Sequence, residues 1–284
     1  MKRRHMLHVE GLMLRFGGLQ VLNDLSLTVR EGQIVGLIGP NGAGKTSSFN
    51  CLTGIYQPQG GRVHFDGRDV STLPTHRRAR LGMARTWQNL GVIDALTVAE
   101  NVMLAQHQRT GYSALAGILG LAGTWHRERE LRRDAAEIIE YFGLQDVADE
   151  RTGELPYGVR KTCDMAMALA SDPKMLLLDE PASGLSPEEA LGLGDTLREL
   201  RDRLKLTILM IEHHVPLVAE VCDYVYVLNF GQLLTEGRPE EIQRHPEVIA
   251  AYLGGAAEEP PSEPDGPPEW PLTAAVEGES HGAA

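Results

Sequence analysis

The sequence predicts an α/β protein with a parallel sheet core and a helical insertion. Three observations carry that reading. Apolar runs at residues 34–38, 174–178, 206–211 and 224–229 have strand length and little alternation, the pattern of strands buried on both faces. Helical stretches lie between several of them, so strands and helices alternate along the chain. From about residue 89 to 170 the helical pattern dominates, which places a helical subdomain inside the α/β core.

The elements follow in order. Residues 7–15 and 22–29 read as strands, and Val29-Arg30-Glu31-Gly32-Gln33 turns the chain into a third, Ile34-Val35-Gly36-Leu37-Ile38. That strand runs into Gly39-Pro40-Asn41-Gly42-Ala43-Gly44-Lys45-Thr46, a glycine, four variable positions and then Gly-Lys-Thr. From Ser47 the chain can continue as a helix. A strand, a glycine loop and a helix N-terminus together make an anion site, because backbone N–H groups turn inward and the helix dipole adds positive potential. In such a loop Lys45 reaches the β- and γ-phosphates of a nucleotide and the Thr46 hydroxyl binds Mg²⁺. Residues 60–67 read as a strand closed by an Asp66-Gly67 turn. Over 128–141 the residues Leu131, Ala135, Ile138 and Ile139 fall on one side of a helix, and residues 162–169 are helical in style.

Two of the later apolar strands end in polar residues. Met175-Leu176-Leu177-Leu178 delivers Asp179-Glu180-Pro181 to the sheet edge where ligands of open α/β sheets sit. Strand alternation sends the two carboxylates in different directions. Asp179 then faces Mg²⁺, through water, and Glu180 faces the water that attacks the γ-phosphate. Ile208-Leu209-Met210-Ile211 likewise ends in Glu212-His213, and His213 is the candidate γ-phosphate contact and water orienter. His214 is expected to face solvent.

Composition narrows the class further. The 284 residues are 42% hydrophobic, enough for a proper core. A net charge of −12 disfavours nucleic acid as a partner. Three scattered cysteines offer neither a disulfide framework nor metal spacing, which fits a reducing compartment. No apolar run approaches the ~20 residues that span a bilayer, so any membrane role is peripheral. Residues 255–284 hold six prolines and seven carboxylates but no Lys or Arg, and are expected to be a disordered acidic tail. Trp270 within it reads as an incidental aromatic.

Taken together, the phosphate loop, the Leu-Leu-Leu-Asp-Glu-Pro run and the strand-end His213 resemble the nucleotide-binding subunits of ATP-binding cassette (ABC) transporters over residues 7–254. More narrowly, the chain is similar to the branched-chain amino-acid importer ATPases. Arg15-Phe16-Gly17-Gly18-Leu19, Ala84-Arg85-Thr86-Trp87-Gln88-Asn89, Leu155-Pro156-Tyr157-Gly158, Glu180-Pro181-Ala182-Ser183-Gly184-Leu185 and Ala251-Tyr252-Leu253-Gly254 carry that likeness. The resemblance implies a P-loop NTPase cassette, with a mixed sheet core, an antiparallel β part and the helical subdomain. It implies ATP and Mg²⁺ as cofactors and ATP hydrolysis that drives a separate permease. Phe16 would stack on adenine, residues 39–47 would hold the phosphates, and Gln88 would contact Mg²⁺ and sense the permease. Tyr157 and Gly158 belong to the signature segment that completes a partner's ATP site. The implied partners are a second cassette subunit, two permease subunits and, indirectly, a solute-binding protein, at the cytoplasmic face of the plasma membrane.

The chain departs from the family pattern at the signature. The common form has Ser, two glycines and Gln where this chain has Pro156, Tyr157, Gly158 and Val159. Val159 brings no side-chain amide, and Ser186 stands where many relatives carry Asp or Asn. These departures lead us to expect a heterodimer with one strong and one weak ATP site. Residues 91–93 and 112–125 are candidates for permease contact, against the alternative of packing within the subdomain. Other readings are a urea, amide or aromatic-acid importer, a lipopolysaccharide-type exporter, a non-hydrolysing regulatory subunit, or a soluble cassette ATPase. Lacking a second cassette or a heptad run, the sequence disfavours the last.

Overall fold

A computed structural model describes residues 4–86, 90–110 and 123–254. The expected acidic tail, Gln88 and residues 112–122 of the candidate docking stretch lie outside the described residues.

The chain opens with two long strands, β1 (His5–Phe16) and β2 (Leu19–Arg30), then β3 (Ile34–Ile38) and the helix α1 (Lys45–Thr53). Next come β4 (Gly60–Phe65), β5 (Arg68–Asp69), α2 (Thr75–Arg80) and β6 (Met83–Arg85). Three helices follow, α3 (Val98–Thr110), α4 (Gly123–Tyr141) and α5 (Tyr157–Ala170). The remainder is β7 (Met175–Asp179), α6 (Pro187–Leu204), β8 (Thr207–Ile211), α7 (Val215–Val221), β9 (Tyr224–Asn229), β10 (Gln232–Gly237), α8 (Pro239–Ile242) and α9 (Pro246–Gly254).

Two sheets result. One is four-stranded and antiparallel, in the order β2-β1-β4-β5. The other has six strands in the order β10-β9-β3-β8-β7-β6, all parallel except the β10 edge. Every residue of β3, β7 and β8 is buried, as expected for strands covered on both faces. Their alternation still sorts two cores. Val35, Leu37, Met175, Leu177, Leu209 and Ile211 face the antiparallel sheet and α1, packing with Leu12, Leu25 and Phe49. Ile34, Leu176, Leu178, Ile208 and Met210 point the other way, onto Leu193, Leu197 and Leu200 of α6 and Leu217 and Val218 of α7.

A third core joins α3, α4 and α5 through Val98, Val102, Ala135, Ile139, Cys163 and Ala166. Leu131, Ala135 and Ile139 are buried, so the face read from spacing over 128–141 is the packed face of α4. The three cysteines are buried and unbridged, and burial pushes the Cys51 and Cys163 thiols up to about 12, which leaves them unreactive.

Three strands have no expected counterpart. Met83-Ala84-Arg85 and Arg68-Asp69 are too short to show a period, and β10 carries Thr235, Glu236 and Gly237 on an antiparallel edge.

Candidate functional site

Strand register explains how distant parts of the chain meet. Leu37 pairs with Ile211, and Ile211 pairs with Asp179. The C-terminal ends of β3, β8 and β7 therefore stop in one row. The loop 39–44, Glu212-His213 and Glu180 emerge side by side from it.

The loop is shaped by its glycines. A Cβ on Gly39 would lie 2.2 Å from the Leu228 carbonyl oxygen, so the chain can pass there only as glycine. Gly44 caps α1 at φ 94°, and the Gly231 N–H donates to the Ala43 carbonyl at 3.0 Å, tying the loop to the β9–β10 turn. Asn41 and Gly42 are exposed, Pro40 and Thr46 are half-buried, and Ala43, Lys45 and Ser47 are buried. The Lys45 ammonium folds over the loop and donates to the carbonyls of Gly39 and Pro40 at 2.9 and 2.8 Å. Residues 39–47 thus form one turn wrapped around the Lys45 ammonium and leading into the N-terminus of α1.

Asp179 closes β7 with its side chain only 1% exposed. Arg85, at the end of the neighbouring β6, donates to Asp179 Oδ2 at 2.6 Å and to Asn50 Oδ1 of α1 at 2.6 Å. Its guanidinium also lies 5.5 Å from the centre of the Phe49 ring. Burial raises the Asp179 carboxyl above the usual range, and the Arg85 charge opposes that rise. Asp179 Oδ1 is buried without a hydrogen-bond partner. A buried orphan oxygen calls for a ligand, and a single carboxylate suits Mg²⁺, which keeps several waters. Among the described residues no group of three or more His, Cys, Asp or Glu forms a metal cluster.

Glu180 does not continue the strand. Its φ is 49°, in the left-handed region, so its separation from Asp179 comes from a turn of the backbone and not from the pleat that alternation predicts. The turn brings Glu180 Oε1 to 3.2 Å from His213 Nε2. The His213 contact holds the Glu180 carboxyl below the usual carboxylate range, against burial and with help from the His213 and Lys45 charges. Glu212 braces both strand ends. Its Oε1 accepts from Ala182 N at 2.6 Å, and its Oε2 accepts from the N–H groups of His213 and His214 at 2.9 and 3.0 Å. His214 is exposed, and its Nδ1 accepts from Leu217 N to cap α7.

Phe16 stands 44% exposed at the end of β1, edge-on to Tyr56 with ring centres 5.1 Å apart. It is a surface aromatic and not a core one. Tyr157 and Gly158 open α5 behind Pro156, with the Tyr157 ring over Gly184 and Gly158 beside Leu185 and Glu189. Ser186 caps α6 in a reciprocal box with Glu189.

Reading residue types along the chain did not give roles to Arg85 and Glu212. Arg85 reaches Asp179 across 94 residues and Glu212 reaches Ala182 across 30, and only the order β8-β7-β6 brings those pairs together.

Strand, glycine loop, helix and the aligned strand ends define a nucleotide-binding protein of the P-loop class. Comparison with known proteins agrees. The family model "ABC transporter" matches residues 22–183, and "Branched-chain amino acid ATP-binding cassette transporter" matches residues 232–258. The chain is 43% identical to the high-affinity branched-chain amino acid transport ATP-binding protein BraF of Pseudomonas aeruginosa, across 89% of this chain and 99% of that protein. It is 41% identical to the LivG protein of the same description from Escherichia coli K12, across 88% and 98%. The lipopolysaccharide export system ATP-binding protein LptB of Haemophilus influenzae is 34% identical across 87% and 97%. Among solved structures, the ADP conformation of an ATP-binding cassette of an ABC transporter superposes with a TM-score of 0.77 at 30% identity, across 88% and 99%. The chain belongs to the ABC transporter family, as one of its ATP-binding ATPase subunits. Among the described residues no helix is long and apolar enough to cross a membrane.

Proposed function

We propose that this chain is the ATP-hydrolysing subunit of an importer for branched-chain or related hydrophobic amino acids, peripheral at the cytoplasmic face of the membrane beside a separate permease. The observation that carries hydrolysis is the alignment of Asp179, Ile211 and Leu37 in register, which sets Glu180 and His213 beside the phosphate loop. The substrate class rests on the similarity to BraF and LivG and on the match over residues 232–258.

In this reading the N–H groups of residues 39–47 and the Lys45 ammonium hold the β- and γ-phosphates, and Phe16 stacks on the adenine ring. Thr46, Asp179 through its orphan Oδ1, and Gln88 would hold Mg²⁺. Bound there, the ion neutralises charge shared by the β- and γ-oxygens. Glu180, ionised at neutral pH, orients the attacking water and takes its proton, and His213 fixes Glu180 and contacts the γ-phosphate. No covalent intermediate is required, because positioning and electrostatics carry most of phosphoryl transfer.

Partners follow the same reading. Tyr157 and Gly158 meet ATP held by a second, different cassette, and that cassette's signature completes the site on this chain. Ile93 and Leu104 are exposed apolar residues of the helical region and suit contact with two permease subunits, whereas Val92 is buried. A solute-binding protein would deliver the amino acid from the other side.

The test is uptake of radiolabelled leucine, isoleucine and valine in cells lacking this chain. Wild-type chain should restore uptake and the Glu180→Gln variant should not. Normal amino-acid uptake without the chain, with loss of urea or amide uptake instead, would overturn the substrate class.

A further inference from the structure

Among the described residues, Arg78 and Lys161 are buried cations outside the machinery described above. Lys161, on the second turn of α5, is 9% exposed. Its Nζ donates to the Glu180 carbonyl at 2.7 Å and to the Ser183 carbonyl at 2.7 Å. Burying an ammonium is costly unless its donors are used, and here two go to the backbone of one short turn. That turn holds Glu180 at φ 49°, a conformation non-glycine residues rarely take. The Ser183 N–H donates back to the Glu180 carbonyl at 3.1 Å, and Glu212 receives the Ala182 N–H from the other side. The same lysine lies 5.8 Å from the centre of the Tyr157 ring, which itself covers Gly184.

We propose that Lys161 is a positioning residue for hydrolysis: it clamps the left-handed turn at residues 180–183 from the helix that carries the signature segment, and so aims the Glu180 carboxylate. The inference rests on the reading of Glu180 as the group that activates water. It gives the start of α5 a duty to this subunit's own site, separate from what Tyr157 and Gly158 offer a partner. A chain whose signature has Val159 in place of the common Gln therefore still needs the helix that follows. Burial draws the Lys161 amine down from its ordinary range, opposed by Glu212, Glu180 and Asp164, as suits an ammonium held by geometry.

The experiment uses the full chain assembled with its transporter partners, comparing wild type, Lys161→Met, Lys161→Arg and Glu180→Gln. ATP affinity, KM, kcat and the melting midpoint are measured for each. Lys161→Met keeps the aliphatic stem and removes the donors. It should lower kcat ~10- to 100-fold, the scale of a small misplacement of a catalytic group, with ATP affinity and KM within roughly 3-fold. Lys161→Arg, which restores a cation and donors, should recover part of kcat. Wild-type kcat in Lys161→Met overturns the proposal. So does a loss that falls equally on affinity and kcat, or one that Lys161→Arg fails to relieve at an unchanged melting midpoint. Should Lys161→Met not fold, the Arg variant decides alone: kcat within roughly 10-fold of wild type supports the clamp, and a larger loss in a folded protein overturns it. Undiminished turnover in Glu180→Gln would instead refute the reading of Glu180, whatever Lys161 does.

Discussion

Two parts of this chain are proposed to meet nucleotide, the strand-end loop and the start of α5, and they differ in completeness. At the C-terminal edge of β3, β8 and β7, Lys45, Asp179, Glu180 and His213 are each held by named partners, and the one orphan oxygen points to a metal. At the N-terminal end of α5, Pro156 and Tyr157 stand where the common signature has Ser and Gly, a replacement expected of the branched-chain type, and Val159 stands where it has Gln. Only Gly158 keeps the common form. The first region is built by the sheet, whose register would have to fail before the site did. The second is one helix end, where single substitutions change what a partner meets. On the proposed reading, the difference teaches that this subunit is better equipped to hydrolyse ATP than to help another subunit do so.

The largest expected effect separates the two regions cleanly. Glu180→Gln should retain ATP binding while turnover falls by ~10²–10⁴, the scale for loss of a general base. Steady-state phosphate release, with nucleotide affinity measured alongside, reads both. Near-normal release would mean the strand-end region is not the hydrolytic one, and the comparison would collapse.

Next is the buried pair beneath that region. Arg85→Met takes from Asp179 its ion-pair partner in a nearly inaccessible place, and removing one member of such a pair costs about 3–5 kcal/mol of stability. The sign of the pH dependence follows. Burial already holds the Asp179 carboxyl above its unfolded value, and without Arg85 it rises further. The folded variant then binds a proton the unfolded chain does not, so the deficit should shrink as pH falls through that raised value. Urea titrations at neutral and mildly acidic pH check this; a deficit that grows on acidification would show that Arg85 does not act through Asp179.

Arg85 also shows what a sequence can and cannot display. The loop 39–46, the four apolar strands and the carboxylate-ending run are local patterns, and local patterns survive in one dimension. Residues 7–15 and 22–29 read as two strands for the same reason, inside what the structure shows as β1 and β2, and the packed face of α4 followed from the spacing of Leu131, Ala135 and Ile139. β6 is three residues long, and its Arg85 gains meaning only from a strand order that places it beside β7. The left-handed turn at Glu180 was equally hidden, because a Glu carries no mark of an unusual φ. Lys161 is one basic residue among 27 in the chain, and only its burial and two short bonds single it out.

Phe16 gives a smaller effect on the complete side. Its exposed ring at the end of β1 suits stacking on a base, which is worth ~1–3 kcal/mol on truncation to Ala. Phe16→Ala should therefore weaken ATP binding by roughly 5- to 150-fold and leave tripolyphosphate binding unchanged. Calorimetry with both ligands separates the two. Equal weakening of both would relocate the base-binding surface.

The smallest effect tests the comparison from its weak side. If the signature of this chain is poor because Val159 offers no amide, then Val159→Gln should improve it. The gain is that of one neutral hydrogen bond across an interface, about 0.5–1.5 kcal/mol, or roughly 2- to 10-fold in the ATP concentration that supports pairing. The measurement is light scattering on Glu180→Gln protein with and without Val159→Gln, because blocked hydrolysis lets a closed pair accumulate. Half-buried Val159 packs against the core of α3, α4 and α5, so the melting midpoint must be followed to separate interface gain from packing loss. ATP-dependent pairing that appears or tightens only when Val159→Gln is added places the deficit at that position. Pairing already complete with Val159 in place would mean that Tyr157 and Gly158 suffice to grip nucleotide. The two regions would then be equals, and the case for a different cassette as partner would fall with the asymmetry.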